Sequence, residues 1–581
     1  MRVRRLSIEN FRGIKKLDWT LPINQRLITL IGPGDSGKST ILEAIYLLLG
    51  DRWNVSFSDL DFHGVDTSEP IQIKAIVTDV PAPLLKDNTF GFWQSGLASD
   101  GQIHQEPEDD LEACLVVRLS VDETLEPQWE IIRADGEGRS ITSSQRRGFS
   151  TFRVDDRTDA QLRWSRTSAL GRMSAKDGGE REALAAAERA AREALNGHDS
   201  NALNELVKEV QGHANGIGGS DFKAIRAGLD ASRSGMGANL ALYEAVVPLM
   251  AYGLGSRRLV SLAVQQMAAG ERSIAVIDEL ESGLEPHRAV RLLNYLNKDP
   301  YSQVFVTTHS PVMVEQAPVG SLSVVQSSNG EVKITPLGGA GNVMKALRRV
   351  VPSSLLARKV VIGEGKTEHG VLAACFDVWD QQRVASGLTT SVGEGLAIQD
   401  GNGGEKAANR AEAMAPLGCS VLALIDNDVR TADPHVLKAQ QAGATIIRWE
   451  DDHCIESQIC SQLDADELQA FISLGVQHRG AESTVLDDIN SRGKVQVANL
   501  TVLDWLETYG IEDARDVVAL AAIKRSWFKD VDAGRALGEW VLARSTSPNL
   551  TAVLTRLNQI KTFVYGTPVL AAAAEPFDVN G

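Results

Sequence analysis

Two sets of residues in this 581-residue chain have the types and spacing to handle phosphate chemistry. The first is GPGDSGKS, Gly32 to Ser39. Gly32, Gly34 and Gly37 let successive backbone N–H groups turn toward the β- and γ-phosphates of a nucleotide, and Asp35, Ser36 and Thr40 belong to the same nucleotide-contacting stretch. Lys38 supplies positive charge there, and the Ser39 hydroxyl can ligate Mg²⁺. Far downstream, SIAVIDELESGLEPH ends an apolar run at Asp278, placed to hold the Mg²⁺ shell, followed by Glu279, placed to polarise an attacking water. His309, after the apolar run QVFVTTHS, is a third strand-end candidate, for contact with the γ-phosphate.

The second set is acidic. Glu364 closes the apolar run VVIG, Asp426 and Asp428 close LALI, and Glu456 lies just beyond ATIIRWE. Asp451 and Asp452 stand close enough in sequence to compete for the role of Glu456. Parallel strands bring their carboxyl ends to one edge, so these groups can converge in one site. Carboxylates so gathered repel unless a cation lies among them, and Mg²⁺ or Mn²⁺ is the hard ion that oxygen ligands suit. Two such ions can activate water and stabilise the leaving oxygen of a phosphodiester. Taken singly, Glu364 reads as a helix N-terminal carboxylate and Asp426–Asp428 as turn residues. It is their recurrence at successive strand ends that marks a site.

The elements needed to hold both sets are visible. RVRRLSIENF, LDWTLP and RLITLIG read as strands, and STILEAIYLLLG as the helix after the glycine loop. IQIKAIVTDV, ACLVVRLSV and QWEIIRA read as strands of an antiparallel flap. Between about 155 and 230 the pattern turns helical, in EREALAAAERAAREALNG and NALNELVKEVQGHANG. This block is either a hairpin packing on a second copy or an intramolecular lobe. LGGAGNVMKALRRVVPSSLLARK reads as a connection. After it, KVVIGEG, SVLALIDND and ATIIRWE are short strands separated by helix-compatible stretches, which suggests a small parallel α/β domain. The tail from about 460 is mostly helical. The expected layout is an α/β chain: an ATPase part at 1–155 and 231–340, a helical insertion at 156–230, a linker at 341–358, and a second domain with C-terminal helices at 359–581.

Composition narrows the class. Hydrophobic residues at 43% and charged residues at 23% are ordinary for a globular chain. No apolar run reaches bilayer length, and the opening MRVRRLSIENFRG turns polar too soon for a secretion signal, so a cytoplasmic protein with no membrane association is expected. Five cysteines without metal spacing fit reduced thiols. A net charge of −17 argues against non-specific coating of nucleic acid but permits a local basic groove or metal-mediated phosphate contact.

The first set, with IENFRGI at 8–14 and SGLEPH at 282–287, resembles the ABC-type ATPases of the chromosome-maintenance and RecF-like group. That resemblance implies ATP sandwiched between two heads by a serine–glycine signature, for which SRSGMGANL offers Ser234, Gly235 and Gly237 in a form departing from LSGGQ. The second set resembles a Toprim domain, with Glu364 at the family glutamate and Asp426–Asp428 at its DxD. EGKTE is the form found in the overcoming-lysogenization-defect (OLD) nucleases, which place an ABC ATPase before a Toprim nuclease. The resemblance implies metal ligation also by Glu368 and Glu456, and a late lysine stabilising the phosphate transition state, either Lys524 or Lys529. It further implies a DNA endonuclease or nickase regulated by its own ATPase, a homodimer or higher homo-oligomer, and a role in anti-phage defence. A helicase-like partner, as in Gabija-type systems, and a retron-type reverse transcriptase with non-coding RNA are equally compatible, as is a stand-alone protein. The competing reading is a RecF-like ATP-driven clamp with a non-catalytic Toprim domain. A topoisomerase or primase is disfavoured, for want of a tyrosine-bearing cleavage domain and a zinc ribbon.

Overall fold

The computed structural model describes residues 1–52, 55–155, 158–165, 168–174, 201–218, 222–229, 240–270, 272–338, 342–492 and 495–566. The chain divides into two units, Met1–Gly339 and Ala340–Gly581.

The first unit is built on strands β1 (Arg2–Phe11), β2 (Ile14–Thr20), β3 (Leu27–Ile31), β4 (Ile71–Thr78), β5 (Glu112–Val121), β6 (Gln128–Ile132), β7 (Thr151–Val154), β8 (Ile274–Ile277), β9 (Gln303–Thr307), β10 (Leu322–Ser328) and β11 (Glu331–Pro336). They follow one another in the sheet as β7-β8-β9-β3-β10-β11-β2-β1-β4-β5, with β6 paired on β5. From β7 to β10 every pairing is parallel, and β2-β1-β4-β5-β6 is an antiparallel flap. β3, β8 and β9 are buried along their whole length, as strands covered on both faces must be.

Helix α1 (Lys38–Leu49) follows β3 and presses Ile41, Leu42, Ile45 and Leu48 into the core under the sheet. Truncating one of these to alanine would cost about 2–5 kcal/mol. Helices α2 (Asn201–Gly218), α3 (Leu254–Ala269) and α4 (Pro286–Lys298) complete this unit's main helices, with α2 where the sequence places one. The expected helix 180–197 lies outside the described residues. One part of the expected helical block is not helical: Ile225–Leu229 is a strand, paired antiparallel with Leu240–Glu244. A partner supplied from outside the segment overrides its local pattern.

In the second unit, α5 (Asn342–Val350) lies in the stretch read as a connection, and it packs on the helix Gly404–Met414. Then come β12 (Lys359–Gly363), α6 (Lys366–Ala385), β13 (Leu396–Asp400), α7 (Gly404–Met414), β14 (Ser420–Ile425), α8 (Asp433–Gln441) and β15 (Thr445–Arg448). The four strands form an all-parallel sheet in the order β13-β12-β14-β15. Three of them match the apolar runs of the sequence. β13, in LAIQD, is an edge strand of mixed polarity that does not stand out. Helices α9 (Ile455–Cys460), α10 (Ala465–Arg479), α11 (Val502–Lys524), α12 (Val531–Ala543) and α13 (Thr551–Tyr565) follow. A core that includes Trp379, Trp449, Phe471, Trp527 and Phe528 joins the sheet to these helices.

Helix α6 crosses α12 closely. A Cβ on Gly370 would lie 2.3 Å from the carbonyl oxygen of Val531, so only glycine permits this approach. All five cysteines are unpaired. Among the described residues, no helix is long and apolar enough to cross a membrane.

Candidate functional site

The glycine loop leaves the carboxyl end of β3. Gly32 has φ +135°, and a Cβ there would sit 2.4 Å from the carbonyl oxygen of Val325 on β10, so the loop needs glycine at this point. Asp35 (φ 59°) is left-handed, and Gly37 (φ 92°) forms the N-cap of α1. The buried Lys38 ammonium folds over the loop's own acceptors, donating to Gly32 O at 3.0 Å, Pro33 O at 2.6 Å and Ser36 Oγ at 3.2 Å. Gly34 and Thr40 lie in the same loop-to-helix segment.

Parallel pairing of β3, β9 and β8 brings the other residues to the same edge. Ser39 Oγ donates to Asp278 Oδ1 at 3.0 Å, and Thr307 Oγ1 donates to the same oxygen at 2.6 Å. Thr307 Oγ1 also accepts the Glu279 N–H at 2.8 Å, so one hydroxyl fixes both acidic residues. Glu279 adopts φ 47°, and the residue is exposed. The buried Arg258 donates to the carbonyl oxygens of Asp278 (2.6 Å) and Ser282 (3.3 Å). Glu281 accepts from Thr308 Oγ1 at 2.7 Å and from the His309 N–H at 2.8 Å, tying down the turn that presents His309. A cleft of about 600 Å³ opens beside these groups, lined among others by Arg12, Arg153, Asp278 and Glu279. A hydroxyl and a carboxylate 3.0 Å apart at a helix N-terminus form the hard-oxygen donor pair that a magnesium–nucleotide complex requires. Ser234, Gly235 and Gly237 lie outside the described residues.

The acidic residues of the second unit also meet at one sheet edge. Glu364 follows β12, and its Oε2 accepts the backbone N–H of Asp426, at the end of the neighbouring β14, at 2.8 Å. Glu368, in the first turn of α6, turns back so that Oε2 accepts the Gly365 N–H at 2.8 Å. Glu456, in the first turn of α9, is wholly buried (0% exposed) and accepts the Cys454 thiol at 3.3 Å. Asp428 lies in the exposed turn after β14 and adds its charge to the field at Asp426. Lys529 Nζ stands 3.6 Å from Glu456 Oε1, its side chain 43% exposed. Thr367 Oγ1 helps place it by donating to the carbonyl of the preceding residue, Phe528, at 2.8 Å. Lys524 ends α11 on the exposed surface, and of the two candidate lysines it is Lys529 that the fold brings to the acids. Asp451 and Asp452 are exposed and face Arg430 at 3.6 and 3.7 Å.

The electrostatics follow from this crowding. Burial, then the neighbouring Glu456, pushes the Glu368 carboxyl up to about 7, against the pull of Lys529. Burial, then Glu368, Glu364, Glu456 and Asp428, raises Asp426 well above the ordinary aspartate range. Burial and Glu456 push the Cys454 thiol up to about 12. Burial opposes the charge on Lys529, yet Glu456, Glu368 and Asp426 outweigh it and lift its pKa above the usual lysine value. Three oxygens here, Glu368 Oε1, Asp426 Oδ1 and Glu456 Oε1, are buried without a hydrogen-bond partner. An unpaired buried carboxylate costs several kcal/mol, so this cluster fits shared protons or a bound cation far better than a structural core. As the side chains lie, no three His, Cys, Asp or Glu residues among the described ones stand as a ready ligand group for one ion. The donor set therefore suits a divalent ion in chemistry, and side chains would have to rotate to hold it.

Sequence reasoning missed the residues that brace both edges. Thr307, Arg258 and Glu281 do so in the first unit. In the second, Arg448 on β15 donates to the Asp426 carbonyl through Nη2 at 3.2 Å and Nε at 3.4 Å, while pairing with Asp433 at 2.6 Å. Arg556 on α13 in turn holds the Arg448 carbonyl at 2.9 Å. Nothing in the local sequence marks such residues, because their partners come from other strands.

The first unit is thus an α/β P-loop ATPase domain. A family profile described as "AAA domain, putative AbiEii toxin, Type IV TA system" matches residues 27–315. An OLD nuclease of Thermus scotoductus (strain ATCC 700910 / SA-01) is a relative: it is 34% identical over 105 residues, 18% of this chain and 19% of that protein. The chain therefore spans about a fifth of the length of the curated relative it matches. Solved structures of SMC heads are similar in part. One, bound to the C-terminal winged-helix domain of ScpA, has 17% identity and a TM-score of 0.37, with 58% of this chain and 97% of that one covered. Another, from Thermotoga maritima, has 15% identity and a TM-score of 0.29, with 58% and 99% covered.

Proposed function

We propose that the chain is an OLD-type, metal-dependent DNA endonuclease or nickase whose second unit is a Toprim nuclease domain, regulated by its own ATPase and acting in anti-phage defence. The observation that carries this reading is the meeting of Glu364, Glu368, Asp426, Asp428 and Glu456 at one parallel-sheet edge, with Lys529 among them and three carboxylate oxygens left without a hydrogen bond. The OLD nuclease relative supports the same reading.

The roles follow from position. Glu364, Glu368, Asp426, Asp428 and Glu456 would hold Mg²⁺ or Mn²⁺, which when bound supplies water activation and charge neutralisation at a phosphodiester. Lys529 presents an ammonium that its acidic neighbours keep protonated, suited to a phosphate oxygen bearing developing charge. Arg448 fixes the Asp426 carbonyl and so orients the acidic turn. In the first unit, Lys38 and the loop N–H groups would bind the nucleotide phosphates, Ser39 and Asp278 its Mg²⁺, Glu279 the attacking water, and His309 the γ-phosphate. Ser234, Gly235 and Gly237 would close the site of a second copy, which makes the working form a homodimer or larger homo-oligomer. Phosphodiester hydrolysis needs no ATP, so the ATPase regulates access or DNA positioning. A helicase-like protein, or a reverse transcriptase with non-coding RNA, is the partner class to seek.

Supercoiled plasmid incubated with Mg²⁺ or Mn²⁺ tests the reading. Relaxation or linearisation by the wild type, lost in Asp426→Ala, is expected; equal background from both would remove the nuclease. The second reading, a RecF-like clamp with an inert second unit, draws on the absence of a ready three-ligand group among the described residues. It requires DNA-stimulated ATP hydrolysis without cleavage under any divalent ion.

A further inference from the structure

The cleft beside the nucleotide site holds an arginine that neither the loop motif nor the acidic strand end requires. Arg153 sits on β7, the strand flanking β8 in parallel, in register with Val276. The next pair, Val154 and Ile277, places Asp155 and Asp278 side by side where the two strands end. The Arg153 guanidinium meets a carboxylate on each of its three nitrogens. Nη1 is ion-paired with Glu43, Nη2 lies 3.8 Å from Asp278 Oδ2, and Nε lies 3.7 Å from Asp155 Oδ2. Glu43 is on α1, four residues after Ser39 and hence on the same helix face. The Arg153 side chain is 19% exposed, and Nε is buried without a hydrogen bond. Asp278 thus divides its two oxygens. Oδ1 takes the hydroxyls of Ser39 and Thr307, and Oδ2 faces Arg153.

We propose that Arg153 is a resident counter-cation of the nucleotide site, a positioning residue that holds Asp278 until Mg²⁺ arrives with the nucleotide. Without it, Glu43, Asp155 and Asp278 would lose the guanidinium they share, and a bare divalent ion would be drawn in more readily. With it, Mg²⁺ must compete for Asp278, and it does so effectively only when triphosphate adds its own negative charge. Arg153 then retains Glu43 and Asp155 as partners, so its charge stays in the cleft and helps hold the anionic nucleotide. Through Glu43 it also links the helix carrying Lys38 and Ser39 to the strand end carrying Asp278 and Glu279. This inference concerns the ATPase unit alone and stands or falls apart from the nuclease reading.

The test is binding of a fluorescent methylanthraniloyl, non-hydrolysable ATP analogue to the full chain, in EDTA and across a Mg²⁺ titration. Arg153→Met keeps the bulk and removes the charge. In that variant, affinity in EDTA is expected to fall by ~3- to 10-fold while the Mg²⁺ concentration for half-maximal enhancement falls by ~5-fold, two shifts of opposite sense. Arg153→Lys should restore much of the EDTA affinity. Glu43→Gln, which leaves Arg153 with one fewer competing partner, should raise the Mg²⁺ requirement instead. A structural role alone would weaken binding equally with and without Mg²⁺. Parallel losses in Arg153→Met, or a Mg²⁺ requirement within twofold of wild type in both Arg153→Met and Glu43→Gln, would overturn the proposal.

Discussion

The two acid-bearing sheet edges of this molecule are built alike and finished differently. Both sit where parallel strands end, and both gather acids from neighbouring strands. At the nucleotide edge the principal buried groups already have partners. Lys38 is capped by its own loop, Asp278 takes two hydroxyls, and Glu281 takes two donors. At the edge of the second unit, Glu368, Asp426 and Glu456 each keep a buried oxygen without a hydrogen bond. A loop whose own backbone supplies acceptors can rest in a satisfied state between ligands. A cluster of carboxylates with one lysine cannot, because each added acid worsens the field for the others.

That contrast can be broken most sharply at Asp426. Asp426→Ala is expected to lower plasmid cleavage by ~10³-fold while leaving ATP turnover within about twofold. Loss of both activities together would mean that the two edges are not separate centres. Next in size, Glu279→Gln is expected to slow ATP hydrolysis by ~10²-fold with nucleotide still bound, whereas Lys38→Ala should weaken binding itself. Filter retention of labelled ATP separates the two, and unchanged turnover in the glutamine variant would take Glu279 out of its role. Lys529→Ala is expected to reduce cleavage by ~10- to 100-fold, and Lys524→Ala to change it by less than about twofold. The reverse ranking would misplace the catalytic cation.

The smallest effect concerns stability. The folded-state pKa of Glu368, about 7, lies above its ordinary value of 4.5, so its protonated form favours folding. That contribution is complete below about 4.5 and is lost as pH rises through about 7. A divalent ion should replace the proton, so Mg²⁺ or Mn²⁺ should raise the melting temperature more at pH 8 than at pH 5.5. At ~100-fold excess over its Kd the ion contributes about 3 kcal/mol, a shift of several degrees. Differential scanning calorimetry of wild type and Glu368→Gln checks this, the variant losing the share of the pH dependence that Glu368 contributes. Equal metal stabilisation at both pH values would contradict it.

Much of the frame is legible in the sequence alone. GPGDSGKS between an apolar strand and an apolar helix, and acids at the ends of VVIG and LALI, are local patterns whose geometry follows from strand period and glycine freedom. β13 was not legible, since an edge strand of mixed polarity carries little periodicity. Nor was the strand at 225–229, which exists because 240–244 pairs with it.

The sequence by itself determined which residues have the types suited to phosphate or a divalent ion and that Asp278, Glu364 and Asp426 follow apolar strands, because those properties reside in residue type and nearest neighbours. Only the tertiary structure decided that Lys529 rather than Lys524 meets the acids, that Arg448 braces Asp426, and that Arg153 faces Asp278. Each of those depends on contacts between segments distant in sequence, and on a charge balance that exists only once burial has removed the water between them.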